Sequence, residues 1–404
     1  MIVLKNGILI DGIAAEPIPD AVVIISGEEI VEVGVGSEVQ IPDEPADIIN
    51  LQSSYILPGL IDCHVHITIG GGPSGTFEHN QDYTLITTLK HAQATLESGI
   101  TTIRDLGGRN YIEFVVRRAI EDGLYPGPRM VLAGKILSMT TAGDEFWPGM
   151  YREADGPDEV RKAAREQLKA DVDFIKVMAT GAAMTPGEQP VPQYTVEEIR
   201  AAVEEAHKVG KPVAVHASGV EGIRNSIEAG VDHIEHGSYL HEDPDTMKLM
   251  VDKCVTLIPT CKAFADPAHK GLEAGCPAWM IDQIKDEWEN NKLSVKAAVE
   301  MGIPIVMGTD AGGPINYHGE NATELIHLCE AGMSPMAAIK AATSRAAECV
   351  GLAHKVGAIE GGKLGDLLIV KNNPLEDIEV LSRKEEIMMI VKNGEIVQRN
   401  DSMR

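Results

Sequence analysis

The run Tyr55-Ile56-Leu57-Pro58-Gly59-Leu60-Ile61-Asp62-Cys63-His64-Val65-His66 sets the architecture of everything after it. Pro58-Gly59 bends the backbone on entry. Leu60, Ile61 and Val65 then read as a strand buried on both faces, the habit of parallel sheets. The strand finishes with histidines two residues apart. Side chains at i and i+2 of a strand leave from the same face, so His64 and His66 point together. Two imidazoles converging at a strand end suit a borderline metal such as zinc. The alternative is a pair of core histidines satisfied by hydrogen bonds, and His-x-His alone leaves the two readings even.

Downstream, from about residue 56 to 350, short apolar runs alternate with longer helical segments. The runs lie at 60–66, 101–106, 130–134, 174–179, 213–217, 233–236, 256–260 and 305–310. Stretches such as 157–170, 195–209 and 279–301 carry helical spacing and long polar faces. Eight β/α units over this length predict an α/β fold, a closed (β/α)8 TIM barrel rather than an open doubly wound sheet. A barrel keeps its active site at the carboxyl ends of its strands.

The two ends of the chain resemble each other. Asn6-Gly7 and Asn393-Gly394 each sit between short β-prone runs, the strongest short-range hairpin signal. Further strands are expected at 21–26, 29–35 and 367–370. The expected organisation is a small β-sandwich built from both termini, residues 1–56 and 357–404, around a barrel of residues 57–356.

Composition agrees. The chain has 404 residues, 44% hydrophobic and 24% charged, ample for one large core and an accessory domain. Its net charge of −26 repels phosphate backbones and argues against a nucleic-acid partner. Six scattered cysteines without CxxC spacing read as mostly buried thiols of a reducing compartment. Residues 1–10 do not resemble a signal peptide, and no run is long enough to span a bilayer. A soluble cytoplasmic protein acting on a small molecule is expected, with homo-oligomer formation left open.

The reactive residues fall where a barrel aims its chemistry. His64 and His66 end the first strand, and Lys176 lies inside the fourth, an awkward place for an ammonium without a partner. His216 ends the fifth strand, His236 the sixth and Asp310 the eighth. Alternation along 233–236 groups His236 with Ile234 facing inward, and His233 with Glu235 facing outward. His91 and His207 lie in helices beside lysines and read as surface residues.

The ordered set His64-x-His66, Lys176, His216, His236 and Asp310 resembles the metal-dependent amidohydrolase superfamily over nearly the whole chain, split terminal sandwich included. That resemblance implies two divalent metal ions, commonly zinc, bridged by a Lys176 carboxylated by carbon dioxide. His64, His66, Lys176 and Asp310 would then hold the more buried metal, and Lys176, His216 and His236 the outer one. Within the superfamily the chain is most similar to the Xaa-Pro, Xaa-Arg and Xaa-Lys dipeptidases, the prolidase-like subgroup. The supporting stretches are Thr101-Thr102-Ile103-Arg104-Asp105-Leu106-Gly107, Pro126-Gly127-Pro128-Arg129, Ile175-Lys176-Val177-Met178-Ala179-Thr180-Gly181, and Thr309-Asp310-Ala311-Gly312 leading to His318-Gly319.

Membership implies hydrolysis of an amide bond, in a dipeptide or N-acyl amino acid, by a hydroxide shared between the metals. Coordination lowers the pKa of water from about 15.7 to about 7. Asp310 would carry the proton to the leaving amine. Tyr239, Lys262 and His318 follow strands six, seven and eight and are candidate substrate donors. Two other readings stay open: a cyclic amide, lactone or amino-heterocycle as substrate, and a barrel that kept its shape and lost its chemistry. The bridging lysine argues against a one-metal deaminase, and the complete ligand set argues against a lost activity.

One departure from the subgroup concerns specificity. Gly-Gly-His usually follows strand three, and Ala142-Gly143-Asp144 stands there instead. Asp144 either accepts backbone hydrogen bonds in a turn or lines the pocket, where it would repel acidic groups and attract cations. With Phe146 and Trp147 beside it offering apolar or cation–π contact, the expected selectivity is away from acidic side chains. The check is kcat/KM for Xaa-Lys, Xaa-Leu and Xaa-Glu dipeptides and their N-acyl counterparts on wild type and Asp144→His. Substrate ratios that move by no more than a few-fold would make Asp144 a turn residue.

Overall fold

The computed structural model describes residues 1–41, 45–73, 80–141, 147–182 and 190–400. Asp144 and Phe146 lie outside them. Five strands open the chain: β1 (Ile2–Leu9), β2 (Ile18–Ser26), β3 (Glu29–Val35), β4 (Asp47–Asn50) and β5 (Tyr55–Pro58). The middle carries β6 (Leu60–Val65), β7 (Ile100–Asp105), β8 (Arg129–Leu132), β9 (Ile136–Ser138), β10 (Tyr151–Glu153), β11 (Ile175–Met178), β12 (Val213–Ala217), β13 (His233–His236) and β14 (Thr256–Ile258). Strands β15 (Leu367–Val370), β16 (Ile387–Lys392) and β17 (Glu395–Arg399) close it.

The terminal strands join in one eight-stranded sheet, in the order β17-β16-β15-β5-β1-β2-β3, with β4 also paired to β1. The two Asn-Gly signals have opposite outcomes. Asn393-Gly394 is the turn between β16 and β17, with Lys392 opposite Glu395 and both turn residues at positive φ. Asn6-Gly7 makes no hairpin: β1 runs straight through it, with Asn6 at φ 58° in a bulge. Beyond the bulge, β1 changes partner on one edge, from β4 (Lys5 opposite Asn50) to β5 (Ile8 opposite Tyr55), while β2 holds the other edge. A strand paired on both sides cannot turn back on itself, so tertiary pairing overrides the local signal.

In the middle the sheets are parallel. One has the order β6-β7-β8, the other β10-β9-β11-β12-β13-β14. The expected eighth strand is irregular, yet its backbone bonds on both sides. Toward β14, Leu257 N–H donates to Pro304 O at 2.8 Å and Val306 N–H to Leu257 O at 3.1 Å. Toward β6, Cys63 N–H donates to Met307 O at 2.9 Å and His66 N–H to Ala311 O at 2.8 Å. The third expected strand is split into β8 and β9, and Asp173 N–H reaches Leu132 O at 2.8 Å between the two sheets.

Helices α1 (Gln81–Glu97), α2 (Ile112–Glu121), α3 (Gly156–Lys169), α4 (Val196–His207), α5 (Val220–Ala229), α6 (Pro244–Asp252), α7 (Cys261–Lys270) and α8 (Ala278–Met301) follow the middle strands. Local chemistry explains their starts. Pro157 and two acidic residues open α3, and Thr195 with Glu198 forms a capping box on α4. Their apolar faces and one face of the parallel strands make the main core, while residues such as Ile61, Cys63 and Ile258, or Phe174 and Ala214, form smaller clusters.

Gly59 alone separates β5 from β6, and so joins the terminal sheet to the parallel one. A side chain there would meet Thr101 Oγ1 at 2.3 Å and its Cγ2 at 2.4 Å. Gly59→Ala is expected to cost about 1–3 kcal/mol by overpacking, read as a lower denaturation midpoint. An unchanged midpoint would show that β6 and β7 separate easily.

Candidate metal centre

Strand ends bring the six predicted ligands together. His64 is buried at 1% exposure, Lys176 at 2% and His236 at 4%, while Asp310 keeps 21%. Ring centres lie 5.4 Å apart for His64 and His66, 5.1 Å for His64 and His236, and 4.4 Å for His216 and His236. Asp310 Oδ1 is 3.4 Å from His64 Nε2 and 3.3 Å from His66 Nε2. Among the described residues, His64, His236 and Asp310 offer ligand atoms all within 4.8 Å of one another.

The route by which β13 supplies this centre differs from simple alternation. Glu235, expected to face outward, meets His64 instead, with Oε2 2.7 Å from His64 Nδ1. His236 still reaches the centre because its backbone leaves the extended region, at φ 69°. Asp310 does the same at φ 57°. Two adjacent residues of one strand therefore serve one site.

Each histidine has one ring nitrogen engaged and the other left over. His64 Nδ1 bonds the Glu235 carboxylate, His66 Nδ1 the Gly107 carbonyl at 2.9 Å, and His216 Nε2 the Gly181 carbonyl at 3.1 Å. Those partners only accept, so the engaged nitrogens carry the protons and the lone pairs of His64 Nε2, His66 Nε2 and His216 Nδ1 are left for a cation. His236 Nδ1 lies 2.7 Å from the Thr260 hydroxyl, leaving its Nε2 in the same position.

Burial also keeps these rings neutral, the form that binds metal. It pushes His66 down to about 4 and His216 to about 3, with His64 and His236 held well below the usual value, and the Lys176 charge adds to the effect at all four. Lys176 is itself pulled down to about 8 by burial, against the pull of Glu235 and Asp310, and its Nζ has no hydrogen-bond partner among the described residues. Burial raises Asp310 to about 7, with Lys176 opposing. Four neutral imidazoles, a carboxylate and an unsatisfied amine make a donor set that fits a divalent metal centre.

A second layer holds the first in place. Glu235 Oε1 accepts from Arg104 Nη2 at 2.7 Å, while Arg104 Nε donates to Cys63 O at 2.6 Å and its Nη1 lies 2.9 Å from His233 Nδ1. Asp62, also buried, accepts from Thr309 Oγ1 at 2.6 Å, Asn321 Nδ2 at 2.7 Å and His64 N at 3.1 Å. Glu235 and Arg104, which support His64 here, are not singled out by the sequence pattern. A signal existed for Arg104: a guanidinium inside an apolar strand is as anomalous as Lys176.

Among the described residues, three of the expected substrate donors have other partners, and Asp144 lies outside those residues. Tyr239 donates to Asp286 Oδ2 at 2.7 Å, fully buried Lys262 pairs with Asp266, and His318 bonds Ile69 O at 2.8 Å. His91, expected at the surface, is half-buried and stacked on His318 with 4.8 Å between ring centres. The described wall consists instead of residues such as Trp147, Tyr151, Phe264, Ile284 and Glu287.

A model of the amidohydrolase family matches residues 55–397. The chain is 30% identical to the ochratoxinase of Aspergillus niger over 444 aligned residues, 98% of this chain and 86% of that protein. It is similar to a solved Xaa-Pro dipeptidase with methionine bound in its active site, at 32% identity and a TM-score of 0.88, covering 98% of this chain and 99% of the other. It is also similar to a prolidase solved in complex with N-methylphosphonate-L-proline, at 29% identity and a TM-score of 0.90, covering 99% and 100%. A family match across most of the chain, and relatives aligned along nearly all of it, lead to one conclusion: the chain belongs to the amidohydrolase family and is a hydrolase of its prolidase-like subgroup.

Proposed function

We propose that the chain is a binuclear metal-dependent hydrolase of amide bonds, a dipeptidase or carboxypeptidase acting on dipeptides or N-acyl amino acids. The observation that carries this reading is the Lys176 amine, buried without a partner among the described residues and amid four imidazoles that each keep one nitrogen back for a cation. His64, His66, Lys176 and Asp310 would hold the inner ion, and Lys176, His216 and His236 the outer one, with zinc the expected metal. Addition of the neutral Lys176 amine to carbon dioxide, with loss of one proton, would replace an unfavourable buried cation by an anionic group with two donor oxygens. When bound, the ions supply an acidified water and a Lewis acid for the scissile carbonyl.

The chain's own groups do the rest. Asp310 accepts a proton at its carboxylate and returns it to the leaving amine. Glu235 fixes the tautomer of His64, and Phe264, Ile284 and Trp147 keep water from the reacting amide.

The same proposal takes the eight extended segments as a closed (β/α)8 barrel, residues 57–356. Its support is the bonding of the 304–311 segment to both β14 and β6. The terminal sheet is then a β-sandwich domain of residues 1–56 and 357–404. No described helix is long and apolar enough to cross a membrane, and all six cysteines are free, which favours a cytoplasmic enzyme. The similarity to an ochratoxinase favours a second, wider reading in which the substrate is an amide other than a dipeptide. A panel of dipeptides, N-acyl amino acids, cyclic amides and lactones separates the two.

Protein prepared without chelator is expected to approach two metal equivalents per chain. Lys176→Ala should lose the bridge and much of the metal, measured by elemental analysis. A variant holding both ions at full activity would end the carbamate assignment. Asp310→Asn keeps the size of the side chain and removes the proton acceptor, so turnover should fall by about 10²–10⁴-fold while some metal remains. Near wild-type turnover with metal in place would show that the proton travels elsewhere.

A further inference from the structure

The end of the fold away from the metal centre carries a second cluster of reactive groups. Strand β13 closes on His236 but opens on His233, and His233 lines two clefts at the amino ends of the parallel strands. Cys349, the last residue of the short helix Ser344–Cys349, lines both clefts with it. One cleft encloses about 650 Å³ and the other about 400 Å³, within the range of about 300–1,000 Å³ that admits small molecules. Arg104 reaches the smaller cleft and Arg345 the larger, with Glu348 lining both.

The neighbours of Cys349 favour a sulfur anion. Arg104 can only donate, so its Nη1, 2.9 Å from His233 Nδ1, leaves the ring proton on Nε2. That side of the ring is the one left for the Cys349 sulfur, to which His233 is hydrogen-bonded. The buried Cys63 thiol, 3.8 Å from the Ala346 carbonyl, meets the same sulfur. Cys63 first, then His233 and the Arg104 charge, hold the Cys349 thiol well below its ordinary value against the opposing pull of burial. A thiolate beside cationic groups at the edge of a cleft is the setting of a reactive cysteine, and inert structural thiols lack it. Cys254 gives the contrast: it is exposed.

We propose that Cys349 is a modification site, a nucleophilic thiol that exchanges with a small-molecule disulfide of the glutathione type. Its sulfur attacks one sulfur of the disulfide, and the S–S bond between the two halves breaks. A new S–S bond joins one half to Cys349, and the other half leaves as a thiolate. The incoming disulfide is the oxidant. Arg345 and Glu348 in the larger cleft offer partners to the carboxylate and ammonium groups of a peptide thiol. The step needs neither the metal ions nor an amide substrate.

The test incubates metal-replete protein with oxidised glutathione at neutral pH and maps mixed disulfides, cysteine by cysteine, by mass spectrometry over time. An ordinary thiol with a pKa of about 8.5 is only about 3% ionised at about pH 7. Full ionisation offers about 30-fold more thiolate, partly offset by the weaker nucleophilicity of a low-pKa sulfur. Cys349 is therefore expected to react about threefold or more faster than the exposed Cys254, with dithiothreitol releasing the adduct. A rate at Cys349 below about threefold that of Cys254 would overturn the site. In guanidinium-denatured protein the two cysteines should react alike, and a preference that survives denaturation counts against the cleft. Ultraviolet thiolate absorbance of the native protein should fall by one equivalent in Cys349→Ala, and no loss would refute the ionised sulfur. Should Cys349→Ala fail to fold, the wild-type rates decide alone.

Discussion

A charge removed from water must be answered by another charge or by hydrogen bonds, and the centre of this protein is arranged around one such case, the fully buried carboxylate of Glu235. One oxygen takes the guanidinium of Arg104 and the other takes His64. Burial works against the Arg104 charge, but Glu235 outweighs it and holds the guanidinium protonated. Arg104 in turn ties the Cys63 carbonyl and His233, and lies over the Phe174 ring at 5.2 Å. Through these bonds β6, β7 and β13 are locked in mutual register, and His64 is turned with its Nε2 toward Asp310. The tautomer of His64 and the alignment of three strands are thus consequences of one ion pair.

The proposed metal ligands are legible because each violates the expectation for its place. A lysine inside Ile175–Met178 or a histidine ending an apolar run has no packing reason to be there, and i, i+2 spacing fixes the common face of His64 and His66. Glu235 was not legible, because alternation assigns it to the outer face with His233, and the left-handed turn at His236 leaves no mark on the pattern of side chains. Tyr239, Lys262 and His318 follow strand ends. Position in a loop places a backbone without setting the direction of a side chain, and all three turn to other partners. Asn6-Gly7 and Asn393-Gly394 are the same dipeptide with different outcomes, since only the second lies where the chain has no strand pairing it on both sides.

Left-handed backbone at His236 and Asp310 carries a cost of about 1–3 kcal/mol each. Neighbouring bonds hold both in place. Gly237 N–H reaches Ala217 O at 3.1 Å, and Asn291 Nδ2 binds the His236 carbonyl. Asp310 N–H reaches His64 O at 2.7 Å, and Asn316 Nδ2 binds the Thr309 carbonyl at 2.7 Å. Strain at these two residues brings side chains from an extended backbone to one point that regular alternation would deny them.

Strand β5 leads through Gly59 straight into β6, and its two neighbours in the terminal sheet are β1 and β15, with Leu57 opposite Leu368. A chain emerging from the ribosome therefore makes β5 long before the strand that flanks it. Until residues 367–370 arrive, the apolar edge of β5 has no permanent partner, and contacts this distant in sequence are slow to form. An unpaired apolar strand edge of that kind is where incomplete chains tend to associate.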